Sequence, residues 1–129
     1  MLEWIVTSPP TPPQPPVTEG AWKPGTPLIQ ATQDIAAFKV ITADGKLADC
    51  SNLMHRLKVV GVTTAAALNG FNASVNIEGE VTNPSWTWAV GQAIYVSDLN
   101  GTSGVWSQRI GTAINATTII INIRNSFLL

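Results

Sequence analysis

The chain has 129 residues, of which 7 are Lys or Arg and 8 are Asp or Glu, so only 12% are charged. An ordinary soluble domain has about 25% charged residues. The net charge of −1 provides no electrostatic attraction to nucleic acid or to an anionic membrane, and neither is an expected partner. The single cysteine excludes an internal disulfide framework and a thiolate-based zinc site.

Residues 1–27 differ from the rest of the chain because they hold eight of its nine prolines. Pro9–Pro16 lacks most of its backbone N–H groups and therefore favours an extended polyproline II conformation of about 3.1 Å per residue. We predict an arm that either docks on a partner as a strap or stays a disordered tail, and its large apolar residues favour the strap. The candidate partner contacts of this arm are Trp4, Ile5, Val6, Pro12, Pro13 and Trp22.

Residues 28–129 have the pattern of a β-rich body. Asp44-Gly45 predicts a hairpin turn with 47–50 as its second strand, and 65–70 is either a helical turn or a loop. Strands at intervals of about 8–12 residues with little helix predict an all-β fold, a small antiparallel barrel or sandwich. The runs that predict strands are 28–32, 37–42, 56–62, 73–81, 92–97, 105–114 and 117–123.

Two segments of the body resemble each other. Residues 58–63 (Lys-Val-Val-Gly-Val-Thr) are similar to residues 108–113 (Gln-Arg-Ile-Gly-Thr-Ala), and each segment is followed by a β-branched strand. Two copies this short do not establish a duplication. We therefore expect both segments to belong to β-hairpins of one sheet.

Side chains suited to catalysis or metal binding are few and dispersed. His55 is the only histidine, and Cys50 lies five residues before it. A cysteine and a histidine can act as nucleophile and base, but the sequence offers no third group to orient the histidine. Glu78 and Glu80 lie on one face of a predicted strand, where neighbouring acids are usually solvated. The glycines match no phosphate-binding pattern. We predict no enzyme, no catalytic residue, no metal site and no cofactor.

Four aromatic residues of the body are candidates for its core or for a subunit interface. Trp86 and Trp88 project to the same side of an extended segment, because side chains alternate with a period of two. Such indoles could instead form a stacking platform for sugars. The low charge favours the core or interface, since a surface poor in charge is poorly protected against association. The four candidates are Trp86, Trp88, Tyr95 and Trp106.

The body also resembles a family of phage virion proteins. The resemblance is carried by six segments, which are 60–63 (Val-Gly-Val-Thr), a strand over 75–82, 83–88 (Asn-Pro-Ser-Trp-Thr-Trp), 91–96 (Gly-Gln-Ala-Ile-Tyr-Val), 108–113 and the strand 118–123 that follows it. These residues are similar to small tailed-bacteriophage proteins of the capsid decoration (cement) or head-fibre type. The resemblance covers roughly residues 56–125, and its most specific part is 83–88. It does not include the arm.

The resemblance implies a non-enzymatic β-rich protein on the outer capsid surface of a virion, assembled in the host cytoplasm as a homotrimer. Its partners would be the major capsid protein and further copies of itself. An arm suits such a cement protein, because it spreads contacts over several neighbours. Two alternatives stay open. One is the base of a head or tail fibre, and the other is a carbohydrate- or peptide-binding module, since Pro10–Pro13 and Pro13–Pro16 match a PxxP pattern.

Overall fold

The structure is a computed structural model and describes residues 28–129. Within this range strands dominate and every strand pairing is antiparallel, which confirms the all-β prediction. The arm lies outside the described residues, and so do its candidate contacts Trp4, Ile5, Val6, Pro12, Pro13 and Trp22.

The first four strands form one sheet, in the spatial order β1-β4-β3-β2. Val, Ile and Thr fill β2 and most of β3, as suits a pleated surface that is buried. A single 3-10 turn, Leu53–His55, lies between β2 and β3. The strands are β1 (Leu28–Gln30), β2 (Val40–Thr42), β3 (Val59–Thr63) and β4 (Asn72–Asn76).

The later part of the chain forms a second sheet, a short helix and a ribbon. These elements are, in chain order, β5 (Glu78–Thr82), β6 (Ala93–Tyr95), α1 (Val96–Asn100), β7 (Trp106–Ser107), β8 (Arg109–Ala113), β9 (Thr118–Asn122) and β10 (Phe127–Leu128). The second sheet has the order β5-β9-β8-β6, while β7 and β10 pair with each other as a two-stranded ribbon.

The two sheets form an open sandwich rather than a closed barrel. Val40 and Val62 of the first sheet share the main core with Ile94, Ile110 and Ile119 of the second, and all five are fully buried. Burying one such side chain contributes about 1.5–3 kcal/mol. A smaller core covers the other face of the first sheet and consists of Ala31, Ile35, Ile41, Ala67, Ala73 and Val75. The first sheet is therefore buried on both faces.

The two sheets repeat one arrangement of four strands. We call residues 28–76 the first repeat and 78–122 the second repeat. In each, the strands lie in the order first, fourth, third, second. β2 pairs with β3 and β6 pairs with β8 through the same irregular register, which lies beside Gly61 in the first repeat and beside Gly111 in the second.

The connections around these strands repeat as well. The N–H of Phe38 donates to the carbonyl of Thr63 in the first repeat, and the N–H of Gly91 donates to that of Ala113 in the second, both at 2.7 Å. The similar sequence segments therefore form equivalent strands, β3 and β8, in two different sheets. The prediction that both belong to hairpins of one sheet is wrong, because each copy pairs only within its own repeat.

Residues 73–81 do not form the single strand that their alternation predicts. They contribute to β4 in the first sheet and β5 in the second, so the chain passes from one sheet to the other at Ile77. Gly79 has a φ of 86°, a left-handed conformation that interrupts regular strand geometry and favours glycine. Val75 consequently lies in the smaller core and Val81 in the main core, while Ile77 is exposed.

Three further predicted strands differ from the structure. Residues 47–50 do not return as a strand, because they form only one bridge, between Ile41 and Leu47, and β2 pairs with β3 instead. Residues 92–97 divide into β6 and the helix α1, and residues 105–114 divide into β7 and β8.

Candidate functional surfaces

The segment 83–88 forms a turn that gathers three aromatic rings at one corner of the sandwich. The carbonyl of Asn83 accepts a hydrogen bond from the N–H of Trp86 at 3.0 Å and so closes the turn. The ring centroids of Trp86 and Trp88 are 5.6 Å apart, and Phe38 meets Trp86 edge-on at 5.4 Å. All three rings are half-buried against the main core. We call them the aromatic corner.

The aromatic corner has one polar group without a partner. The indole Nε1–H of Trp88 is buried and donates to no atom of residues 28–129. A buried donor that stays unpaired costs about 1–3 kcal/mol.

The other two candidate aromatics lie in different environments. Trp106 in β7 is fully buried, and its Nε1–H donates to the carbonyl of Asn52 at 3.0 Å. Tyr95 at the end of β6 is half-buried, and its ring meets Phe127 edge-on at 6.5 Å with an interplanar angle of 89°. The four candidates therefore do not form one surface: Trp106 belongs to the core, two tryptophans to the aromatic corner, and Tyr95 to the second sheet.

Cys50 and His55 have separate structural surroundings. Burial raises the pKa of the Cys50 thiol, and a hydrogen bond with Thr102 lowers it less. The Nδ1 of His55 accepts a hydrogen bond from the N–H of Asp49 at 3.0 Å, and its Nε2 lies 3.4 Å from Nδ2 of Asn52. The imidazole is thus buried in its own loop and holds that loop closed.

Glu78 and Glu80 lie side by side on β5, at one edge of the second sheet. Both are exposed, and they pair across the strands with Asn122 and Ile120. Among residues 28–129, no group of three or more His, Cys, Asp or Glu side chains is arranged to hold a metal ion.

Sequence reasoning did not identify two polar residues, Asn100 and Arg109, whose side chains make hydrogen bonds beside the two sheets. Asn100 in α1 accepts from the N–H of Val40 at 2.8 Å and donates to the carbonyls of Val40 and Ala48, both at 2.9 Å. It thereby adds hydrogen bonds at the edge of β2, beside the single bridge between Ile41 and Leu47. Arg109 in β8 donates from Nη2 to Oγ1 of Thr112 at 2.7 Å. The Asn100 contacts join residues 52 and 60 positions apart, and no local pattern indicates such a pairing.

Large apolar side chains are exposed at several places on the body. Single exposed apolar residues are normal, but neighbouring ones mark candidate contact surfaces. One set surrounds the 3-10 turn and another surrounds the ribbon. The first set is Leu53, Met54 and Leu57, and the second is Val105, Phe127, Leu128 and Leu129.

No protein-family model, no curated protein and no solved structure matches the chain. In the part of the chain that the structure describes, no helix has the length and apolar character needed to cross a membrane. The likeness to phage virion proteins therefore stays a prediction that rests on the residues given for it.

Proposed function

We propose that this chain is a structural protein of a tailed-bacteriophage virion, a capsid decoration (cement) protein. It binds the outer surface of the major capsid protein through its β-body and its arm, and it stabilises the capsid as a homotrimer. It has no enzymatic activity and uses no cofactor. The observation that carries the proposal is the segment 83–88, whose sequence resembles that of decoration proteins and whose turn builds the aromatic corner.

The aromatic corner suits a docking role. Trp86, Trp88 and Phe38 are only half-buried, so they retain apolar surface that a neighbouring protein can cover. Aromatic side chains contribute strongly to protein interfaces, because they bury a large area with few rotatable bonds.

The position at which the arm joins the body also supports the proposal. The arm joins the body at Leu28, the first residue of β1, and among residues 28–129 β1 is an edge strand that pairs only with β4. The arm and the body can therefore bind at separate places, which raises the effective concentration of each contact.

Binding to capsids tests the proposal. Capsids that lack this protein are prepared from the phage that carries its gene, and the full chain is added back. We expect full-length chain to sediment with the capsids and to occupy regular lattice sites in electron micrographs. A variant that lacks residues 1–20 should keep the circular dichroism of the body and lose binding. A full chain that does not bind overturns the proposal, and equal binding by the truncated variant overturns the role of the arm.

The same particles separate this proposal from its alternatives. Density at a single vertex or on the tail would favour the base of a fibre. Trp86→Ala should reduce capsid occupancy, while Val90→Ala should not, because Val90 is 77% exposed and lies outside the aromatic corner. Binding to a glycan array that Trp86→Ala abolishes would favour a carbohydrate-binding module instead.

A further inference from the structure

The second sheet has one face that the rest of the described chain leaves uncovered. A row of four side chains crosses all four strands in register, from Glu80 through Ile120 and Thr112 to Ala93. Alternation places these residues opposite the buried side chains of the same strands. Glu80 and Ile120 are exposed, and Thr112 and Ala93 are half-buried. We call this row, together with Tyr95, Arg109 and Phe127, the open face.

The equivalent face of the first repeat is an interface. Val40 and Val62 pair with each other in the first sheet just as Ala93 and Thr112 pair in the second. Val40 and Val62 are both fully buried, and both belong to the main core that the two sheets share. The same face of the repeated arrangement is therefore covered by a second repeat in one case and uncovered in the other.

The open face has the composition of a contact surface between folded subunits. Ile120, at the middle of the row, is 39% exposed, and Phe127 beside Tyr95 is 45% exposed. Tyrosine, phenylalanine and arginine are enriched where folded proteins meet.

The charges of the open face complement each other across a pair of copies. The guanidinium of Arg109 is held by Oγ1 of Thr112 and pairs with no acid among the described residues. Glu80 is exposed on the edge strand β5, and it is also without an ion pair within that range. β9 lies between β5 and β8, so Glu80 and Arg109 are on the same face but on strands that are not neighbours. A second copy could contact both residues.

We propose that the open face binds a second copy of this chain. Ile120 lies at the centre of the contact, and Arg109 of each copy faces Glu80 of a neighbour. A symmetric assembly uses the same contact at each interface, so one complementary pair serves every copy. This inference rests on the homotrimer of the proposed function, and it names the surface through which the copies meet.

Analytical ultracentrifugation of the full chain tests the proposal. The wild-type chain should sediment as an oligomer, and Ile120→Lys should sediment as a monomer with an unchanged circular dichroism spectrum. Leu68→Lys is the matched control: Leu68 is 61% exposed on a turn of the first repeat, so its substitution should leave the oligomer intact. A monomeric wild-type chain, or an oligomer that Ile120→Lys does not change, overturns the proposal.

A charge exchange tests the contact itself. Glu80→Arg and Arg109→Glu should each weaken association by roughly tenfold or more, since like charges then face each other, and the double variant should recover most of the loss. Glu80→Arg alone keeps the test valid if Arg109→Glu disturbs folding. Single variants without effect, or a double variant weaker than either, overturn the pairing. A monomeric chain that still binds capsids would overturn the open face and the homotrimer, and it would leave the proposed binding to the capsid standing.

Discussion

The two repeats share their strand order and register but differ in how their sheets are covered. The first sheet is buried on both faces, whereas the second has its open face. Val59 and Val62 of β3 are replaced at the equivalent positions of β8 by Arg109 and Thr112. The backbone arrangement thus tolerates both apolar and polar residues at one position, and the cover over each face decides which kind is found there.

A second difference concerns the residue that precedes β2 and β6. Phe38 has a φ of 63° and Gly91 has a φ of 85°, and both donate the equivalent hydrogen bond. A left-handed conformation costs a residue other than glycine about 1–2 kcal/mol. The first repeat offsets this cost by packing the Phe38 ring against Trp86 of the second repeat. A residue other than glycine can therefore occupy this left-handed position where its side chain gains a tertiary contact.

The largest effect is expected at the glycines that the repeats share. A Cβ atom on Gly61 would lie 2.3 Å from the carbonyl oxygen of Asn76, and one on Gly111 would lie 2.1 Å from that of Ile120. Both strands would have to separate, so we expect Gly61→Ala and Gly111→Ala each to lower the free energy of unfolding in urea by about 3 kcal/mol or more.

The two glycines should also differ from each other. Gly61→Ala should cost more, because the first sheet is covered on both faces and has less room to shift. Gly79→Ala is the control: a Cβ there meets no atom within 4 Å, and only its φ of 86° opposes the substitution, so about 1 kcal/mol should be lost. A larger loss for Gly111→Ala than for Gly61→Ala would break the comparison between covered and open sheets.

A smaller effect is expected at Asn100, whose contacts have no counterpart in the second repeat. Asn100→Ala removes three hydrogen bonds and leaves the N–H of Val40 and the carbonyl of Ala48 without these partners, while the carbonyl of Val40 keeps its bond from the N–H of Ala48. We expect a loss of about 2–3 kcal/mol in urea unfolding. Asn122→Ala, at an exposed position of β9, should change stability by no more than about 0.5 kcal/mol. Equal losses would show that the edge of β2 needs no cover.

The left-handed positions two residues before β2 and β6, Phe38 and Gly91, should favour glycine over alanine. Gly91→Ala should cost about 1 kcal/mol, although the space around it is open. At position 38, the Phe38→Gly variant should be about 1 kcal/mol more stable than Phe38→Ala, because both lack the ring and only alanine keeps the backbone strain. Urea unfolding of the three variants gives the comparison. An alanine variant more stable than the glycine variant at position 38 would contradict it.

The sequence indicates the strands of this fold better than their partners. The alternation over 73–81 correctly indicates extended backbone, but it does not show that Ile77 divides the segment between two sheets. The sequences of β3 and β8 are alike in part because both need a glycine, Gly61 or Gly111, where the neighbouring strand comes close. This likeness does not show that the two strands lie in different sheets, because that depends on long-range packing. The proposed contact role of Arg109 follows from its place on the open face, and no local sequence pattern indicates that place.

The smallest effect concerns acids of the first repeat and depends on pH. A hydrogen bond from Lys58 lowers the pKa of Asp44, and hydrogen bonds from the hydroxyl and N–H of Ser51 lower the pKa of Asp49. A carboxyl whose pKa is lower in the folded than in the unfolded chain stabilises the fold above about pH 4, and this contribution is lost as pH falls. We therefore expect stability to decline on acidification, and to decline less in Asp49→Asn.

The two acids should respond differently when their donors are removed. Lys58→Ala should raise the pKa of Asp44 toward its usual value, and high salt should reproduce part of that change, because an exposed ion pair is screened. Ser51→Ala should raise the pKa of Asp49, and salt should change that value little, since both donors are neutral groups. Carboxyl chemical shifts followed by NMR during an acid titration measure both. An Asp49 titration that Ser51→Ala leaves unmoved would mean that the Ser51 hydroxyl does not stabilise the Asp49 carboxylate.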